Sequence, residues 1–495
     1  MKSAYYWKRW MSLKERPNKD RLNQLSRQIA LSFLDHYFYN DHYEEEYIRL
    51  LCEMATFFDN EELNKAGSSA LFGIIVEGLC DDFEELQTEA YNKVMSQVVS
   101  FCRTLTVGRE LAERLNDFGL KSYNDIFKRI EYIRARSDEY LGMESPPEKI
   151  FLLSRVTVGA DVAITSVLIQ RLAIRFPNAE IIVIGGSKLK DIFGGNPCIR
   201  ITEVFYARQG NMVERFSSWL AVLDAIHKEI TEDDAGNILV VDPDSRLSQL
   251  GVLPLVSDNK YLFFNSRGKD SYPKKMSVAE LANHWLDNVF GESKFCYPKV
   301  WLQGSVLEKA GRFALALREA GCQQIIAVNF GVGGNARKRL RDDFEGKLIL
   351  KLLDEPDTVV LLDQGFGDEE ITRSGALIHR AEKQGVMTTV VGFAGLEGVK
   401  ISRGIVGVIG GIGEIAALIS QCDEFIGYDS ACQHIAASLA IPTYTVFAGS
   451  NNSRFIRRWH ACGPSKSEII HVDTLTHPPM FDTDDIIVRI TDARS

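Results

Sequence analysis

The chain holds no C-x-x-C pair and no Cys/His pattern at structural-zinc spacing among its nine scattered cysteines. A structural zinc site and a disulfide framework are thereby excluded, and a reducing, cytoplasmic setting is expected. Long apolar runs are also lacking. The opening MKSAYYWKRWMSLKERPNKDR has no apolar core of signal-peptide length, and the most apolar later run, Gly404 to Ile419, is interrupted by glycines and Glu414. Neither secretion nor a membrane span is expected. Positive charge is short as well: 57 Lys and Arg face 67 Asp and Glu, a net charge of -10. That balance argues against a general nucleic-acid binder. Glycine and β-branched runs are sparse up to about residue 147. There the apolar residues recur at three- and four-residue intervals (Ile29, Phe33, Leu34, Tyr37; Tyr47, Leu50, Leu51, Met54), which predicts helices and no sheet.

With 495 residues the chain is too long for one core, so about three domains are expected. The first is this helical module, residues 1–147. A change of character at Glu148 opens an α/β region, 148–303, with strands at 149–154, 179–184, 237–241 and 260–264 and a helix from Val162 to Arg175. A second α/β series occupies 304–495, with strands at 324–329, 358–363, 388–392, 425–428 and 443–447. Strands alternating with helices predict parallel, doubly wound sheets, which bind ligands at the carboxyl ends of their strands. Two such domains in succession predict a cleft between them.

Polar residues gather at those strand ends. After Phe425–Tyr428 come Asp429, Ser430, Gln433 and His434, on the first turn of a small-residue helix whose unpaired N–H groups and dipole suit an anion, above all a phosphate. After Gln324–Asn329 comes NFGVGGNARKRLR, in which glycines permit close backbone approach and Arg337, Lys338, Arg339 and Arg341 supply positive charge. It is neither a Walker loop nor a dinucleotide fingerprint. Glu369 opens the helix after the next strand, where it can complement the dipole or accept hydrogen bonds from sugar hydroxyls. Asp161 starts the helix after the first strand of the 148–303 region, placed either as a cap or as a general base at the mouth of a cleft.

The first strand, the G-x-D of Gly159 to Asp161, the Phe176-Pro177-Asn178-Ala179-Glu180 turn and the distant D-S-A-C-Q-H-I-A-A-S-L-A-I-P-T segment resemble the heptosyltransferase family of GT-B glycosyltransferases over residues 148–472. The chain departs from that family's pattern at Ala160, which separates Gly159 from Asp161, and at Ala431-Cys432 within the late turn. The resemblance implies a GT-B fold: two Rossmann-like domains facing a cleft, here preceded by an all-α domain that lies outside the likeness. It implies an inverting transfer of a sugar, a heptose carried on ADP, from a nucleotide donor to a glycoconjugate acceptor, as in lipopolysaccharide biosynthesis. Asp161 would deprotonate the acceptor, Lys338 would bind donor phosphate, Glu369 would hold the ribose, and Asp429, Ser430, Ala431 and His434 would receive the diphosphate. No metal and no other cofactor are expected. A nucleotide-sugar epimerase and a non-catalytic nucleotide-sugar-binding protein are the competing readings.

Near the start, Tyr5, Tyr6, Trp7 and Trp10 alternate with Lys2, Lys8, Arg9 and Lys14. Such a segment is either a tail or first packed helix of the module, or a peripheral contact with an anionic membrane surface.

Overall fold

The computed structural model describes the chain apart from residues 1–2, 41, 81–82, 141–144, 208–209, 231–236, 269–271, 341 and 477–480. Lys2 and Arg341 thus lie outside the described residues. From Ser3 to Ala135 every regular element is helical: Ser3–Glu15, Lys19–Asn40, Glu45–Met54, Glu61–Ala70, a π-helical turn at Leu71–Val76, Glu85–Cys102, Arg109–Asp117 and Tyr123–Ala135. The periodic residues explain this, since Tyr47, Leu50, Leu51 and Met54 are all buried on one face. Polar termini mark the ends. Asn60 caps the Glu62 N–H at 2.9 Å, and Ser122 and Asp125 form a reciprocal capping box. The N-terminal aromatics form a packed first helix. Trp10 and Tyr6 are buried, the Trp7 indole donates to Glu46 at 3.1 Å, and Tyr5 and Met11 stay exposed.

Two parallel sheets follow. The first comprises β1 (Lys149–Leu153), β2 (Glu180–Gly185), β3 (Ile199–Glu203), β4 (Ile238–Asp242) and β5 (Tyr261–Phe263), in the order β3-β2-β1-β4-β5. The second comprises β6 (Gln324–Asn329), β7 (Thr358–Asp363), β8 (Thr388–Gly392), β9 (Gly404–Ile409), β10 (Glu424–Tyr428), β11 (Thr443–Phe447) and β12 (Ser467–His471), in the order β12-β11-β10-β6-β7-β9-β8. Two parallel sheets in succession after a helical region are the arrangement expected from the sequence. Three strands escaped the sequence reading. β3 and β12 are edge strands of half-polar composition, IRITE and SEIIH, and carry no continuous apolar run. β9 hides in a glycine-containing stretch: Gly407 sits where a Cβ would come within 2.5 Å of Ile378 and 2.7 Å of the Gln364 amide. Only glycine fits there without repacking.

Each sheet reverses direction once, between β1 and β4 in the first and between β6 and β10 in the second. The connections on either side of such a reversal leave in opposite directions and open a crevice at the strands' carboxyl ends. The loops after β1, β4, β6 and β10 are therefore the ones the topology sets aside for a ligand.

Side-chain alternation divides the first sheet between two cores. Phe151 and Leu153 of β1 point to the side covered by the helical module, where they join Trp10, Leu51, Ile130 and Trp219 in one apolar cluster. Ile150 and Leu152 point to the other side, into a cluster continuous with the second sheet through Phe193, Phe313, Ala327 and Ile435. The helical module is thus a layer of the first sheet's core. Phe151→Ala should cost about 3–5 kcal/mol. Because module and sheet share that cluster, helical circular dichroism and tryptophan fluorescence should lose their native values in one coincident urea transition. Two separated transitions would show that the module folds on its own.

Candidate active site

The loops at the two reversals face each other across a cavity of about 790 Å³. The first sheet contributes Ser154 to Asp161 and Arg246, and the second contributes Val332, Lys338 and the Asp429–Ala431 turn with His434. The two sides touch at Gly159. A Cβ there would lie 3.2 Å from both the Ala431 Cα and the His434 ring, so a larger side chain would press on the backbone that starts the Ala431–Ser438 helix. The small residue is what allows the two loops to close on one another. At the cavity's rim the Lys188 ammonium stands 4.7 Å from the centre of the Phe366 ring, a cation–π contact between the two sheets.

On the first-sheet side, Asp161 is buried and engaged by its own loop. Its Oδ1 accepts from the Arg155 N–H at 2.7 Å and the Thr165 hydroxyl at 2.8 Å, and its Oδ2 accepts from the Ser154 hydroxyl at 2.8 Å. Ser154 Oγ in turn accepts from the Val156 N–H at 2.8 Å. That network holds Val156 at a φ of 76°, a left-handed backbone that a β-branched residue pays to adopt. Carboxylate oxygens have room for about two acceptor contacts each, and Oδ2 receives one of these donors where Oδ1 receives two. The helix that follows is π-helical at Asp161–Thr165, a widening that recurs at functional sites. Burial pushes the Asp161 carboxyl up to about 6, against the opposing pull of the Ser154, Arg155 and Thr165 donors.

On the second-sheet side, Lys338 pairs with Asp429 at 2.5 Å, and the other Asp429 oxygen accepts from Gln433 at 2.7 Å. Ser430 is the N-cap of the Ala431–Ser438 helix but caps no amide; its hydroxyl donates to Asn329 at 3.2 Å instead. The first N–H groups of that helix thus receive no cap from the Ser430 side chain. His434 is buried against Trp459, and burial, with help from His460 and Lys338, pushes its pKa down to about 3. It is a neutral imidazole across the physiological range.

Asp161, Lys338, Asp429, Ser430, Ala431 and His434 therefore meet around one cavity. Glu369 does not line it. Its side chain is 81% exposed and paired with Arg339 at 2.6 Å. The neighbouring Glu370 is the one turned inward, accepting from the Val332 N–H at 3.2 Å and the Phe366 N–H at 3.0 Å and so joining the loops after β6 and β7. The sequence reading passed over Glu370, Ser154 and Thr165. For Thr165 a signal existed, since it follows Asp161 by one helical turn. Nothing in sequence separates Glu369 from Glu370, whose directions depend on where the β6 loop lies.

The ordinary aspartate value is 3.8, and both Asp161 and the equally buried Asp242 are raised to about 6. Between those values these two groups bind more protons in the folded chain than in the unfolded one, so they stabilise the fold most below about pH 4 and lose that contribution as pH rises through 6. Asp161→Asn should flatten its part of this slope. Urea midpoints measured at pH 4.5 and pH 7 should differ less in the variant than in the parent.

Residues 401–485, from β9 through β12, match the family model described as Glycosyltransferase family 9 (heptosyltransferase). No curated protein matches the chain. Similar solved structures include a family 9 glycosyl transferase from Veillonella parvula, 15% identical, covering 70% of this chain and 92% of that one at a TM-score of 0.47. The E. coli ADP-heptose lps heptosyltransferase II is 14% identical, covering 70% and 98% at a TM-score of 0.45. E. coli heptosyltransferase WaaC with ADP is 13% identical, covering 70% and 99% at 0.46. The matched segment contains the whole Asp429–His434 turn, so this part of the cavity wall lies in a stretch whose sequence matches glycosyltransferase family 9.

Proposed function

We propose that the chain transfers a sugar, with inversion, from a nucleoside diphosphate donor held by the second sheet to a glycoconjugate hydroxyl presented by the first. The facing of two unlike sites across one cavity carries this reading: a cationic helix start at Lys338 and Ser430, and a carboxylate at Asp161. As the bond from the anomeric carbon to the diphosphate oxygen breaks, charge grows on the leaving group. The free N–H groups at Ala431 and beyond, together with the Lys338 ammonium, are oriented to receive it without rearranging. The acceptor oxygen attacks from the opposite side while its proton passes to Asp161 Oδ2. A carboxylate with a pKa near 6 is ionised at neutral pH and is a better proton acceptor than an ordinary aspartate. Neutral His434 adds no charge to the pocket and can hydrogen-bond to phosphate. Glu369 is the carboxylate offered to the ribose, which would have to displace Arg339. The resemblance makes ADP-heptose the donor to try first. No helix among the described residues is long and apolar enough to cross a membrane, and the buried Tyr6 and Trp10 are committed to packing, so a lipid-linked acceptor would have to meet other surfaces.

Nucleoside diphosphate release that requires an acceptor distinguishes this activity from isomerisation of the donor and from binding alone. Asp161→Asn should lower turnover by about 100-fold or more and remove the fall in rate below pH 6, while the donor's thermal stabilisation persists. Unaltered turnover would leave Asp161 as a loop brace only. Lys338→Ala should weaken a nucleoside diphosphate by about 10- to 100-fold, the scale of one charge-assisted hydrogen bond, and should hardly affect the corresponding nucleoside. Equal losses for both ligands would place Lys338 away from the phosphates.

A further inference from the structure

A second cavity, about 230 Å³, adjoins the first. Thr157, Tyr206 and Arg246 line both, so it opens from the acceptor side of the cleft. Its remaining wall comes from two sources. Phe72, Val76 and Glu77 belong to the helical module, and Arg215 and Gln249 to the first sheet domain. The module's share is carried by the π-helical turn Leu71–Val76, with Glu77 following directly.

The charges in this cavity are unequally satisfied. Arg246 forms a two-pronged pair with Glu77, at 3.1 and 3.2 Å. Arg215 has no carboxylate partner among the described residues. Its guanidinium carbon sits over the Phe72 ring, 4.1 Å from the ring centre, and its Nε is buried without a hydrogen-bond acceptor. Leaving a buried cationic donor unpaired is costly, and burial pushes the Arg215 pKa below its usual value, yet the Phe72 face holds the group in place. Two guanidiniums against one carboxylate leave one positive charge unmatched. Guanidinium forks suit planar or tetrahedral oxyanions, which can accept two parallel hydrogen bonds. At 230 Å³ the space lies below the range for whole small-molecule ligands, and so fits one substituent of a larger molecule.

We propose that this cavity is an oxyanion subsite of the acceptor, in which Arg215 and Arg246 grip a phosphate or carboxylate group while the acceptor hydroxyl reaches Asp161 in the adjoining cleft. The helical module then has a part in substrate selection, since Phe72 orients Arg215 and Glu77 positions Arg246. The turn bearing Arg246 is also tied to the catalytic loop, because the Ser245 hydroxyl donates to the Ser154 carbonyl, and Ser154 donates to Asp161. The assignment of the ligand to the acceptor rests on the transferase reading above, whereas the anion site itself does not.

The test uses the full chain carrying Lys338→Ala, so that the diphosphate site contributes little, with inorganic phosphate and acetate as probes. At constant ionic strength, one of these anions should raise the unfolding midpoint above that in chloride. A response to phosphate assigns a phosphate group, and a response to acetate a carboxylate. Arg215→Gln should abolish the increment, measured against the variant's own baseline in chloride. Glu77→Gln, which frees Arg246, should enlarge it, and provides the readout should Arg215→Gln fold poorly. No response to either anion, or equal responses in the parent and in Arg215→Gln and Glu77→Gln, would overturn the proposal. In the otherwise unaltered enzyme, Arg215→Gln should raise the acceptor KM about tenfold with the donor KM unchanged. If no transfer occurs with any acceptor while the anion response stands, the transferase reading fails and the anion site survives.

Discussion

The close approach of Gly159 to the start of the Ala431–Ser438 helix is the constraint on which the site depends. Two parallel sheets each provide a crevice at their reversal points, but crevices on separate domains act together only if the domains meet there. A Cβ on residue 159 would reach the Ala431 backbone and the His434 ring at 3.2 Å. Its absence lets the β1 loop, with Asp161 two residues on, lie against the helix whose free amides and neighbouring Lys338 form the opposite wall. A similar contact recurs farther along the interface, where a Cβ on Gly413 would come within 2.7 Å of the Asp191 carbonyl. The two sheets are held in register by backbone proximity at small residues and by the apolar cluster behind them.

Around this contact, buried polar groups fix the loops. Asp161 spends most of its acceptor capacity on Ser154, Arg155 and Thr165, which keeps Val156 in a backbone conformation it would otherwise leave. The same burial raises the pKa of the carboxyl that braces the loop to about 6. On the opposite wall Asp429 plays a comparable part, holding Lys338 on one oxygen and Gln433 on the other.

The helical module is attached more intimately than a separate domain would be. It covers one face of the first sheet, shares a cluster containing Trp10, Phe151 and Trp219, and contacts the second sheet's domain where Arg454 donates to the Phe83 carbonyl at 2.8 Å. Phe83 also meets Trp459 edge-on at 6.0 Å, and Trp459 lines the main cavity beside His434. Module, first sheet and second sheet thus all reach the cleft.

Periodicity and punctuation in the sequence were enough for the helical opening, the two parallel α/β series and most of their strands, because buried strands and amphipathic helices write their burial pattern locally. The Asp429–His434 turn and the Lys338 loop were legible for the same reason: strand ends, glycines and helix starts are short-range features. Edge strands β3 and β12 were not, since half of each faces water and their composition differs little from a loop's. Tertiary structure alone decided that Glu370 and not Glu369 turns inward, that Phe72 and Arg215 stack although more than a hundred residues separate them, and that the module is part of the first sheet's core. Those outcomes depend on which surfaces meet, and a chain fixes its surfaces' neighbours only through the sum of its long-range packing.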